Sequence, residues 1–119
     1  MLFRLRPDSA GPIFAQLADA VRAELCAGRL HPGDKLPPAR EVAAGLHVNV
    51  HTVLRAYQDL RDEGLLELRR GRGAVITEAG EHLRSLNDDV RALTAKAAAL
   101  HIGPETLSAL VKEASHDFR

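Results

Sequence analysis

The stretch from Pro38 to Thr77 constrains this chain most, because breakers and apolar spacings alternate along it with little slack. Pro38 predicts the first position of a short helix reaching about Gly45, where a missing N–H costs nothing. Val42 and Leu46 are its expected buried positions, and Ala43 is small enough for close packing. A break over Gly45–Val48 follows, and Asn49 is placed to cap a further helix from Val50 to Glu63. Val53, Ala56, Tyr57 and Leu60 fall on one face of that helix, and Gly64 ends it. Leu65–Arg69 and Ala74–Thr77 read as strands, with Arg70-Gly71-Arg72-Gly73 as the turn of a hairpin.

The flanks complete the pattern. Ile13–Ala27 predicts an amphipathic helix through Ile13, Leu17, Ala20, Val21 and Leu25, stopped by Gly28. His31-Pro32-Gly33-Asp34 reads as a turn. After Glu78, Leu83, Leu86, Val90, Leu93, Ala97 and Leu100 recur at alternating three- and four-residue spacing, a heptad seam on a long helix. Gly103-Pro104 breaks it and starts a last helix with Leu107, Leu110, Val111 and Ala114 as its stripe. The preceding segment can already bury its own core. The seam together with Leu107, Leu110 and Val111 therefore calls for a partner, expected to be a second copy of the chain.

The expected fold is mainly α with a small β-hairpin. It comprises a winged helix-turn-helix DNA-binding domain over residues 1–77, then a two-helix C-terminal dimerisation segment over 78–119. In such a layout the second helix of the pair enters the major groove, the first lies across the phosphate backbone, and the hairpin reaches out with basic residues. On this reasoning the DNA-facing residues are Arg40, Asn49, Val50, His51, Thr52, Arg55, Arg70, Gly71, Arg72 and Gly73. Asn49 is foremost a cap, and Tyr57 belongs to the core. Arg69, Arg70 and Arg72 form a basic cluster around a flexible tip suited to phosphate.

The wording of the motifs resembles the GntR family of bacterial regulators. The matching residues are Pro32-Gly33-Asp34-Lys35-Leu36-Pro37, Arg40-Glu41-Val42-Ala43, Asn49…Thr52-Val53…Arg55-Ala56-Tyr57, Glu63-Gly64-Leu65 and Arg70-Gly71-Arg72-Gly73. The wording over Asn49–Tyr57 is similar to the YtrA-like and MocR-like branches. The MocR-like branch carries a long aminotransferase-like domain that 119 residues cannot hold, whereas the YtrA-like branch ends in about two dimerising helices. The resemblance implies that Arg40 contacts DNA from the first helix of the motif, that Thr52 lies near phosphate or base, and that Gly71-Arg72-Gly73 is the wing tip. It further implies a repressor, and the expected homodimer, with two recognition helices related by a twofold axis, calls for an inverted-repeat operator. Three positions depart from it: Pro38 stands where many relatives have Ser, His47 where many have Gly, and Val50 where Arg or Pro is common. Val50 keeps a second reading open, a dimeric interaction protein with weakened DNA binding that acts through another regulator.

Composition narrows the alternatives. Net charge is zero, so a uniformly basic nucleic-acid binder is excluded. Residues 1–77 hold eleven Lys/Arg against nine Asp/Glu, and residues 78–119 five against seven, so a weak basic tilt falls on the first segment. Cys26, the single cysteine, can form no intramolecular disulfide and is expected to be a buried structural thiol. His82, His101 and His116 match no dense metal-ligand spacing, and no nucleophile–base set or phosphate-binding loop is evident. The expectation is therefore no metal, no cofactor and no enzymatic activity. Double-stranded DNA and a second copy are the expected partners, with any small-molecule effector unidentified. Met1–Arg6 lacks the apolar stretch of a leader and no run approaches membrane-spanning length, so a cytoplasmic protein is expected, with no membrane partner.

Overall fold

The computed structural model describes residues 11–71 and 73–118. Its elements in chain order are α1 (Ile13–Cys26), α2 (Ala39–Leu46), α3 (Val50–Asp62), β1 (Leu66–Arg69), β2 (Gly73–Ile76), α4 (Ala79–Ala99) and α5 (Pro104–Ser115), closed by a 3₁₀ turn at His116–Phe118. The chain is mainly helical with one two-stranded antiparallel hairpin. It groups into two compact units, Met1–Ser85 and Leu86–Arg119.

In the first unit, α1, α2 and α3 surround an aliphatic core. Leu17, Val21, Leu25, Val53 and Leu60 are its fully buried side chains, and Tyr57 contributes the one ring among its buried members. Each such side chain stabilises by roughly 1.5–3 kcal/mol through removal from water. The helix boundaries lie within a residue or so of the breakers. One local expectation shifts: Pro38 sits just outside α2 as its N-cap and supplies no side-chain cap, so α2 begins at Ala39. His47 ends α2 in the left-handed region at φ 57°, the geometry a glycine would adopt freely. Leu46 is half-buried rather than buried, Ile13 is exposed at the start of α1, and Cys26 is half-buried.

The hairpin pairs Leu66 with Ile76 and Arg69 with Gly73. Gly71, at φ 81°, takes the left-handed region between the two strands, which a glycine adopts freely. The segment expected to be only a turn also joins the sheet. Gly33 N–H donates to the Ile76 carbonyl at 2.8 Å, Leu36 N–H to Ala74 at 2.9 Å, and Ile76 N–H to Asp34 at 2.8 Å. Lys35 thereby bridges Val75, and the free edge of β2 is covered.

The first turns of α4 belong to this unit. Gly80 lies so close to α1 that a Cβ there would sit 3.0 Å from Leu25 Cδ2. Leu83 packs against the same core. Leu83, expected in the dimerisation seam, is thus half-buried against the core of the first unit. In the second unit, α5 starts with Pro104 in its first turn. Leu86, Val90, Leu93, Leu100, Leu110 and Val111 are exposed, Leu107 is half-buried and Ala97 is buried.

Candidate nucleic-acid interface

The start of α3 is built by its own sequence. Asn49 takes an extended conformation, and its side-chain oxygen accepts the His51 N–H at 2.8 Å. Its carbonyl accepts the Thr52 N–H at 3.0 Å. Two of the donors that open a helix are thus satisfied. Of the three residues expected to face bases, His51 is exposed, whereas Val50 and Thr52 are half-buried. Val50 packs against the core, which leaves only part of its methyl surface for a thymine methyl.

Arg55 and Gln58 continue the exposed face that begins at His51. The Arg55 guanidinium lies over the Phe14 ring at 3.7 Å from its centroid, a contact across to α1 that sequence spacing could not foresee. Leu54, one turn after Val50, is also partly exposed, and nothing in its spacing marks it out.

The orientation of α3 is set by two ties. The Tyr57 hydroxyl donates to the Pro37 carbonyl at 2.6 Å, anchoring the helix to the segment that leads into α2. Burial, with the Glu41 charge adding to it, pushes the Tyr57 phenol above its ordinary value, so it stays a neutral donor. At the far end, Arg22 of α1 pairs with Glu63 and with Asp19. Desolvation opposes the Arg22 charge, and the two carboxylates outweigh it, so its pKa is raised.

Arg40 is exposed in the first turn of α2. Arg70 and Gly71 occupy the hairpin loop and are exposed, Gly73 opens β2, and Arg72 lies outside the described residues. Arg69 differs from its expected place in a basic cluster. Its guanidinium donates to Glu67 at 3.0 Å, and this bond holds the Glu67 carboxyl below the usual carboxylate range. Both side chains point to the same side of β1, two residues apart, so the pair neutralises itself. Among the described residues no cluster of His, Cys, Asp and Glu could hold a metal, and no helix is long and apolar enough to cross a membrane.

The pattern of a family described as bacterial regulatory proteins, gntR family, matches residues 14–76. The chain is 41% identical over 80 residues to YhcF, an HTH-type transcriptional regulator of Bacillus subtilis, covering 67% of this chain and 66% of that protein. It is 33% identical over 125 residues to the HTH-type transcriptional repressor YtrA of the same organism, covering 99% of this chain and 95% of that one. Among solved structures, the AraR DNA-binding domain in complex with operator ORX1 superposes with a TM-score of 0.55 at 28% identity, covering 62% of this chain and 92% of that one.

Proposed function

The chain belongs to the GntR family of bacterial regulatory proteins, and on that premise we propose that it is a cytoplasmic transcriptional repressor that binds an inverted-repeat operator as a homodimer. Its winged helix-turn-helix is a DNA-binding regulator domain, not an enzyme, and its partner is double-stranded DNA. One observation carries the homodimer. Leu86, Val90 and Leu93 of α4 and Leu110 and Val111 of α5 leave between 43% and 56% of their surface in water. A run of large aliphatic side chains at heptad spacing is stabilised by covering it, and a second copy presents the same seam. Repression is supported by YtrA, which is named a repressor and aligns along nearly the whole of this chain.

A twofold dimer carries two copies of α3 and so requires two half-sites related by the same axis. Their centres are expected about one helical turn apart, ~10 bp, or a multiple of that. Light scattering of the full chain at micromolar concentration should report a dimer, and Leu86→Glu with Leu93→Glu should convert it to a monomer with weaker operator binding. Footprinting on the chain's own promoter should protect a symmetric pair of sites. A wild-type monomer, or protection of one asymmetric half-site, would overturn the proposal.

A further inference from the structure

Arg55 is held in an unusual way for a surface arginine of this protein. Arg22, Arg29, Arg61 and Arg69 are each paired with a carboxylate, and those pairs occupy part of their N–H donor edge. Among the described residues no carboxylate pairs with Arg55. Its guanidinium rests instead on the Phe14 ring. The difference is chemical. A guanidinium stacked on an aromatic ring uses its flat face, so its five N–H donors, which lie in its plane, stay available for a bidentate acceptor.

The placement of Phe14 follows from how α1 lies on α3. Phe14 meets Arg55 near one end, and Arg22 meets Glu63 eight residues further along both segments, so the two helices run parallel. The first turn of α1 therefore stands beside the opening turns of α3. Arg55 is exposed one turn beyond His51, on the same face. Loose in solvent, an arginine there would lose most of its rotamer freedom on meeting a phosphate. Stacked on Phe14, part of that freedom is already gone.

We propose that Phe14 is a positioning residue for DNA binding: its ring fixes the Arg55 guanidinium with its donor edge open to a phosphate of the DNA backbone. The proposal rests on the DNA-binding reading of α3 given above and adds a residue of α1 to it. The interaction is sequence-independent, because a phosphate contact carries no base information.

The test uses the full chain and a labelled random-sequence 30-bp duplex, with affinity measured by fluorescence anisotropy at several salt concentrations. Arg55→Ala should weaken binding and lower the salt slope by roughly one unit for each phosphate that the protein no longer neutralises. Phe14→Leu should weaken binding by about 2- to 5-fold per protomer. In an Arg55→Ala background the same Phe14→Leu change should cost nothing further. Phe14→Trp, which keeps the packing and offers a better ring, should bind at least as tightly as the wild type, and should lose that advantage when Arg55 is absent. This variant carries the test if Phe14→Leu fails to fold. A Phe14→Leu penalty that is equal with and without Arg55 would show a merely structural role and overturn the proposal, as would an Arg55→Ala variant with unchanged affinity and slope. If Arg40→Ala weakens binding while Arg55→Ala does not, Phe14 positioning falls and the regulator reading stands. A wild-type chain that binds no duplex sinks both.

Discussion

Asn49 does two jobs that a pair of substitutions separates. Its side-chain oxygen caps α3 through the His51 N–H at 2.8 Å, and it stands at the end of α3 that we propose faces DNA. Asn49→Ala removes the cap and leaves that donor to water. Loss of an N-cap costs about 0.5–2 kcal/mol. The preceding helix offers no compensation, because α2 also lacks a side-chain cap. For a domain of this size, 1 kcal/mol corresponds to roughly 4–8 °C in Tm. Asn49→Asp keeps an acceptor in the same place and adds a negative charge at the positive end of the helix, which is neutral to favourable by about 0.3–1 kcal/mol. The same charge faces phosphate: two unit charges about 4 Å apart repel by ~1 kcal/mol in water, roughly a 5-fold loss of affinity per protomer. Urea melts followed by circular dichroism, alongside anisotropy titrations of duplex DNA, read the two properties independently. The expected result is an Ala variant of reduced stability and an Asp variant of full stability with weak DNA binding. An Asp variant that binds DNA as well as the wild type would show that the start of α3 does not approach phosphate. An Ala variant as stable as the wild type would show that the cap contributes nothing.

Leu60→Ala, at a side chain with no exposed surface, should lower unfolding free energy by about 2–5 kcal/mol in a urea titration. His47→Gly should stabilise by up to about 1 kcal/mol, since the residue occupies the left-handed region and is exposed; a loss of stability in thermal melts would show that the imidazole makes a contribution beyond its backbone. Arg40→Ala and Arg72→Ala should each weaken specific and random-sequence DNA binding together and lower the salt slope by roughly one unit per phosphate released, and unchanged slopes for both would mean that the DNA-facing surface lies elsewhere.

Most of the local architecture is legible in the amino acids. Asn49, Gly64, Gly71 and the Gly103-Pro104 break act on the residues beside them, and the apolar face of α3 depends only on a spacing of three and four. Such signals are short-ranged, so they place an element's ends within about a residue. They fail where the outcome depends on a neighbour distant in sequence. Gly33 and Asp34 read as part of a turn because nothing local says that β2 leaves an edge to cover. Leu83 fits the heptad spacing as well as Leu86 does, and the packing of α4 against α1 at Gly80 leaves the first half-buried against the core while the other is exposed.

The sequence by itself determined the helix-turn-helix and hairpin order, the cap on α3, and the aliphatic positions of the core, because backbone preference and hydrophobic periodicity are properties of contiguous residues. Only the tertiary structure decided what each polar side chain would face. The Tyr57 ring is assignable to the core from its spacing, but its hydroxyl finds the Pro37 carbonyl only once α3 has docked beside the segment before α2. Arg55 is assignable to the outer face of α3, yet its partner, Phe14, lies on a helix whose parallel alignment with α3 is set by the packing of both against one core. A side chain's direction follows from its own turn of helix; its partner is chosen by the fold that brings two distant turns together.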